Sequence, residues 1–261
     1  VEDFSPVVIN PLLGTTLQLA IVLMLLMWAD RWLHRNLQGL MFLLTEDKEI
    51  SLWLYAIILL PGVALHEISH AFMAAVLGVK TGKLNIFPRR VNQRIQLGYV
   101  PIADTDFLRA SLVGLAPLLL GGTVSVIIGH NIFSTPQIVT ALSSGDWLGG
   151  LQGLRVVLRE PDFWVWAYFV FTVGNTMLPS RSDIHALPLL VTILALLAAG
   201  IVYLGGQVYL LQGVGRILGL AQRWLVLLGV STLLVDVPFF GLIFLLQKLL
   251  ERIKGIRLSI E

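Results

Sequence analysis

Apolar residues run along this chain in long blocks separated by short polar stretches. A helix crosses a bilayer with about 20 apolar residues, and six blocks approach or exceed that length: 11–30, 51–78, 107–129, 162–178, 186–205 and 224–249. The fourth is short. Pro11 follows Asn10, as a first-turn proline follows a helix cap. Residues 207–224 have an apolar face and two arginines, Arg216 and Arg223, and are expected to lie along the membrane interface. Between the second and third blocks, KLNIF and RIQLGYV alternate apolar and polar residues. They predict short strands or a hairpin beside the membrane. The stretch 130–161 is rich in Gly and Ser and predicts a long loop with one short surface helix. There is no internal repeat. The pattern predicts an all-α polytopic membrane protein with about six transmembrane helices and a small membrane-associated β element. It divides as 1–50, an accessory helix and loop; 51–185, a core; and 186–261, accessory helices.

Composition agrees. Of 261 residues, 56% are hydrophobic and 13% charged, against about 25% charged in an average soluble domain. Mean hydropathy is +0.84. A net charge of +2 gives no reason to expect a nucleic-acid partner. There are no cysteines, which excludes disulfides, iron–sulfur clusters and thiolate ligands. The opening VEDFSPVVIN lacks a basic run, so no signal peptide is expected there. Most of the basic residues, including Lys80, Lys83, Arg109 and those of the C-terminal tail, fall on one side if both termini are cytoplasmic.

The second block carries HEISH, residues 66–70. Ionisable groups inside a membrane cost roughly 2.5–3.5 kcal/mol each on insertion scales, and their retention usually marks a use. Residues i and i+4 share a helix face, so His66 and His70 can hold one ion, and two imidazoles at that spacing suit zinc. Glu67 lies about 100° round the helix, placed to take a proton from water at the metal. Such a site needs a third protein ligand. The candidates are His34, His130, Asp104, Asp106, Asp183, His185 and Asp236. Asp236 has Arg216 and Arg223 as possible partners. GGTVSVIIG, 121–129, offers small residues for helix packing.

Three motifs together carry a resemblance. HEISH sits on a transmembrane segment. GLAPLLLGG, 114–122, is similar to a Gly-x-x-Pro segment on the next helix. Asn175 and Asp183 stand eight residues apart with Pro179 between them. On these the chain resembles the site-2 protease family of intramembrane zinc metalloproteases, over about residues 50–180. GYV, 98–100, is similar to that family's membrane-associated β segment. The resemblance implies a three-helix metalloprotease core. It implies His66, His70 and Asp183 as Zn2+ ligands, Glu67 as catalytic base, and Asn175 as a group that positions substrate or stabilises the oxyanion. Gly114 and Pro117 would line the substrate path. The implied activity is endopeptidase hydrolysis in or near a transmembrane segment of a membrane protein within the lipid bilayer. The expected setting is the cell membrane of a prokaryote. Arg181 and Ile184 flank Asp183 where the family has other residues. They motivate a second reading, a catalytically silent homologue acting as a structural subunit of a larger membrane complex. A metal transporter is a third, disfavoured by the few polar groups on the other spans.

Overall fold

The computed structural model describes residues 6–91, 94–180, 182–183 and 185–255; the side chains of 6–15, 89–91, 94–95, 142–143 and 207–212 are not described. Among the described residues, eight helices and one hairpin follow in order: α1 (Pro6–Thr45), α2 (Lys48–Val76), β1 (Arg89–Val91), β2 (Arg94–Gln96), α3 (Phe107–Asn131), α4 (Thr135–Ser143), α5 (Trp147–Val157), α6 (Phe163–Gly174), α7 (Leu187–Tyr203) and α8 (Gln207–Lys254). Helices α1, α2, α3 and α8 are long and apolar enough to cross a membrane. The chain is a helical membrane protein. Helices α6 and α7 are apolar but shorter, at 12 and 17 residues.

Several boundaries differ from the sequence expectation. Helix α1 does not give way to a loop after residue 30 but continues to Thr45. Its polar residues cluster at helical spacing, and Asp30, His34 and Gln38 border a cavity. The segment 207–224 is not a separate interfacial helix; it forms the first turns of α8. Its glycines are tolerated in a helix at about 1 kcal/mol each relative to alanine. The 130–161 stretch holds two short helices, α4 and α5, instead of one. Helix α6 ends at Gly174, before Pro179. There Asn175 Nδ2 donates to Phe171 O at 2.9 Å and Thr176 Oγ1 donates to Thr172 O at 2.8 Å. These side chains compete for the backbone acceptors a continuing helix would use.

Side-chain bonds fix how the long helices run. Gln222 donates to Thr16 Oγ1 at 3.1 Å, Gln247 to Asn36 O at 3.2 Å and Lys254 Nζ to Leu43 O at 2.6 Å. Residue numbers rise together, so α1 and α8 are parallel. The start of α1 and the end of α8 therefore lie at opposite ends of the bundle, which overturns the expectation of both termini on one side. The Lys/Arg count was a weak guide because it assumed six full crossings. Lys254 also donates to Glu46 at 2.6 Å. That hydrogen bond and the lysine charge hold the Glu46 carboxyl below its ordinary range. Asp47 starts α2 by accepting from the N–H groups of Glu49 and Ile50 at 2.7 and 2.9 Å, an N-cap worth about 1 kcal/mol.

Helix α6 also runs parallel to α2. Tyr168 donates to Ile58 O at 2.9 Å, and one turn on a Cβ at Gly62 would come within 2.2 Å of Thr172 O. Only glycine allows that crossing. The core they share with α1 includes Leu33, Leu59, Val170 and Phe171, with Phe171 stacked on Phe239 of α8 at 4.2 Å. The packing expected of GGTVSVIIG is present: a Cβ at Gly122 would lie 2.5 Å from the Trp224 ring.

The predicted β element is present and longer than its two named strands. β1 and β2 pair antiparallel, Arg90 opposite Ile95. Further out, Asn85 and Tyr99 exchange backbone bonds of 3.0 and 2.8 Å, and Gly82 N–H reaches Pro101 O at 2.7 Å. KLNIF and RIQLGYV thus form one irregular hairpin between α2 and α3.

Candidate metal centre

Three side chains converge. His66 and His70 come from one face of α2, and Asp183 from the loop between α6 and α7. His66 Nε2 lies 3.1 Å from His70 Nε2. Asp183 Oδ2 is 3.7 Å from His66 Nε2, and Oδ1 is 3.4 Å from His70 Nε2. All the potential ligand atoms fall within 4.8 Å of one another.

The tautomers follow from the partners. His66 Nδ1 is 2.7 Å from Thr176 O and His70 Nδ1 is 2.8 Å from Val113 O. A carbonyl only accepts, so each Nδ1 carries the proton. Each ring then turns its Nε2 toward the other and toward the carboxylate. Lone pairs meeting at this spacing repel one another unless a proton or a metal cation sits among them. The edge of a tetrahedral zinc site with ligands at about 2.0–2.1 Å is about 3.3 Å. The two imidazole nitrogens, 3.1 Å apart, come near it, and the carboxylate meets each histidine through a different oxygen, Oδ2 at 3.7 Å from His66 and Oδ1 at 3.4 Å from His70. Carbonyl acceptors behind ligating histidines are the usual means of fixing ring and tautomer. Two imidazoles and a carboxylate are a donor set that can hold a metal ion.

Asp183 is held from two sides. Ser180 N–H donates to its Oδ2 at 2.7 Å, turning the carboxylate toward the histidines. Its backbone rests on α3, where a Cβ at Gly114 would lie 1.8 Å from Asp183 O. Gly114 thus seats the loop that carries Asp183. Pro117 is fully buried in α3. Neither borders the cavity of about 1250 Å³ that His66, His70 and Asp183 line, whereas Glu67, Asn175, Gly98 and Val100 do. Glu67 is buried, and a Cβ at Gly98 would lie 2.9 Å from its Cγ. The GYV segment thus closes over the glutamate.

The other sequence candidates for the third ligand are engaged elsewhere or exposed. His34 bonds Asp30 at 3.0 Å and Tyr55 at 2.6 Å. Asp106 caps α3 by accepting from Leu108 and Arg109 N–H, both at 3.1 Å. His185 is exposed and bonded to Ser182 O, and His130 and Asp104 are exposed. Asp236 is not paired with Arg216 or Arg223; it accepts from Asn175 at 2.7 Å. Arg181 and Ile184 lie outside the described residues. The cluster Asp30–His34–Tyr55 was not singled out as a group by sequence reading, although the i, i+4 spacing of Asp30 and His34 carried the signal. It borders the same cavity.

Comparison of the chain with protein-family models, with curated proteins and with solved structures finds no match.

Proposed function

We propose that this protein is a zinc-dependent intramembrane endopeptidase of the site-2 protease type. The observation that carries the reading is the convergence of His66, His70 and Asp183 on one point inside a membrane-helix bundle, with each Nδ1 spent on a carbonyl. A buried carboxylate, Glu67, adjoins that point. Zinc, when bound, supplies Lewis acidity that polarises the scissile carbonyl and makes water acidic.

The chain's own residues do the rest. His66, His70 and Asp183 hold the ion. Glu67 accepts the proton of the attacking water and passes it to the leaving nitrogen as the C–N bond breaks. The cavity admits water and an unwound peptide, and the hairpin around Gly98–Val100 covers the glutamate. The substrate is a transmembrane segment of another membrane protein. It must unwind locally, because helical carbonyls and N–H groups are already paired.

Within this reading α2, α3 and α6 are the core and the other helices are accessory. Helix α6 spans about 18 Å at 1.5 Å per residue, little more than half of a hydrocarbon layer of about 30 Å. Together α6 and α7 make one broken crossing, with the Asn175–Asp183 loop at membrane depth. Irregular backbone is tolerated there when it lines a cavity. One broken crossing and four whole ones put the start of α1 and the end of α8 on opposite sides, in keeping with the parallel run of the two helices.

The test is metal removal. Purified protein in proteoliposomes should cleave a panel of single-span membrane proteins with helix-breaking residues. A strong chelator should abolish cleavage and added zinc should restore it. Cleavage indifferent to chelation would remove zinc from the reading.

A further inference from the structure

We propose that Asp236 of α8 is a positioning residue for the reaction. It holds the Asn175 amide so that only its carbonyl oxygen, a hydrogen-bond acceptor, is left for a backbone N–H of bound peptide. The inference rests on the peptidase reading above and adds a residue from outside its three-helix core.

The argument is one of donors and acceptors. An asparagine amide has two N–H donors and one carbonyl oxygen. Asn175 Nδ2 gives one hydrogen to Phe171 O at 2.9 Å and the other to Asp236 Oδ1 at 2.7 Å. A flipped amide would set its oxygen against the Phe171 carbonyl, which cannot donate. The orientation is therefore fixed. Both donors are consumed inside the protein, while Asn175 borders the cavity. It has an acceptor to offer and no N–H for an oxyanion. Of the two roles implied for Asn175, positioning remains and oxyanion stabilisation falls away.

Asp236 is 1% exposed, and its Oδ2 has no hydrogen-bond partner among the described residues. No basic side chain among the described residues pairs with it. A carboxyl half-satisfied in a membrane helix lowers stability, so fold stability alone gives it little reason to be there. Asn175 could cap α6 through Phe171 O without it. What Asp236 adds is the lock on the second N–H.

The experiment is a double-mutant cycle on the full-length protein, with a model transmembrane peptide carrying a helix-breaking centre as probe. Zinc per chain and thermal unfolding are measured beside KM and kcat. Asp236→Leu should raise KM on the order of tenfold, as the loss of a buried hydrogen-bond partner implies, with zinc per chain unchanged. Asp236→Asn keeps a carbonyl at the Oδ1 position and should stay near wild type. In an Asn175→Ala background Asp236→Leu should add nothing to KM, and the two changes should couple in thermal unfolding. If Asp236→Leu does not fold, Asp236→Ala takes its place in the cycle. An unchanged KM, or effects that add in full, would overturn the positioning role alone. A wild-type protein with neither zinc nor cleavage would overturn the peptidase reading and this inference with it.

Discussion

Replacing Glu67 with glutamine is expected to lower peptide cleavage by roughly 10²–10⁴-fold, the range for a lost general acid–base group. Zinc content should be unchanged. Glutamine keeps the size of the side chain and its packing against Gly98, but it cannot take a proton from water. Glu67 sits one position from His66 on α2, so it adjoins the three-ligand cluster without belonging to it. Measuring turnover and metal on the same preparation separates the two roles. Unimpaired turnover in Glu67→Gln would remove Glu67 as the base. Loss of zinc would make it a ligand instead.

Gly114→Ala should be the most damaging methyl group that can be added near the site. A Cβ there would stand 1.8 Å from the Asp183 carbonyl oxygen. Backbone meets backbone, so no flexible side chain can swing away. Either α3 or the 180–183 loop must move by more than an ångström. Forced overpacking costs about 1–3 kcal/mol, and displacing the support of a metal ligand weakens metal binding by about 10–100-fold. Both should appear together, in thermal unfolding and in a zinc titration. Gly241→Ala in α8, where an added Cβ meets nothing within 4 Å, is the control and should be neutral or slightly stabilising. Normal zinc affinity in Gly114→Ala would mean that Asp183 does not depend on this contact.

What the sequence made legible was local. HEISH is readable because i and i+4 share a helix face, and that periodicity survives any tertiary arrangement. The long apolar blocks and the alternation in KLNIF and RIQLGYV are legible for the same reason. The third ligand was not settled by residue type. His34, Asp106 and Asp236 are the same kinds of group as Asp183, and their distance from His66 depends on packing 32 to 170 residues apart in sequence. Only the resemblance singled out Asp183, and its seat on Gly114 is a contact between segments that share no pattern. The partnership of Asn175 with Asp236 was hidden likewise, 61 residues apart and on different helices. The lengths of α1 and α8 were misjudged because Arg31, His34, Arg35, Arg216 and Arg223 looked like ends of apolar blocks. A helix continues through polar residues when they line a cavity, as His34 does. The direction of the chain ends was misjudged because α6 is too short to count as a whole crossing.

The central claim is the three-ligand metal site, and zinc per chain tests it most directly. Protein purified without chelators should carry about one zinc per chain, as a tetrahedral site with three protein ligands and one open position would. Asp183→Ala, prepared alongside, should hold markedly less. No zinc in the wild type, and none after zinc is added back, would contradict the account and favour a silent structural subunit built on the same bundle.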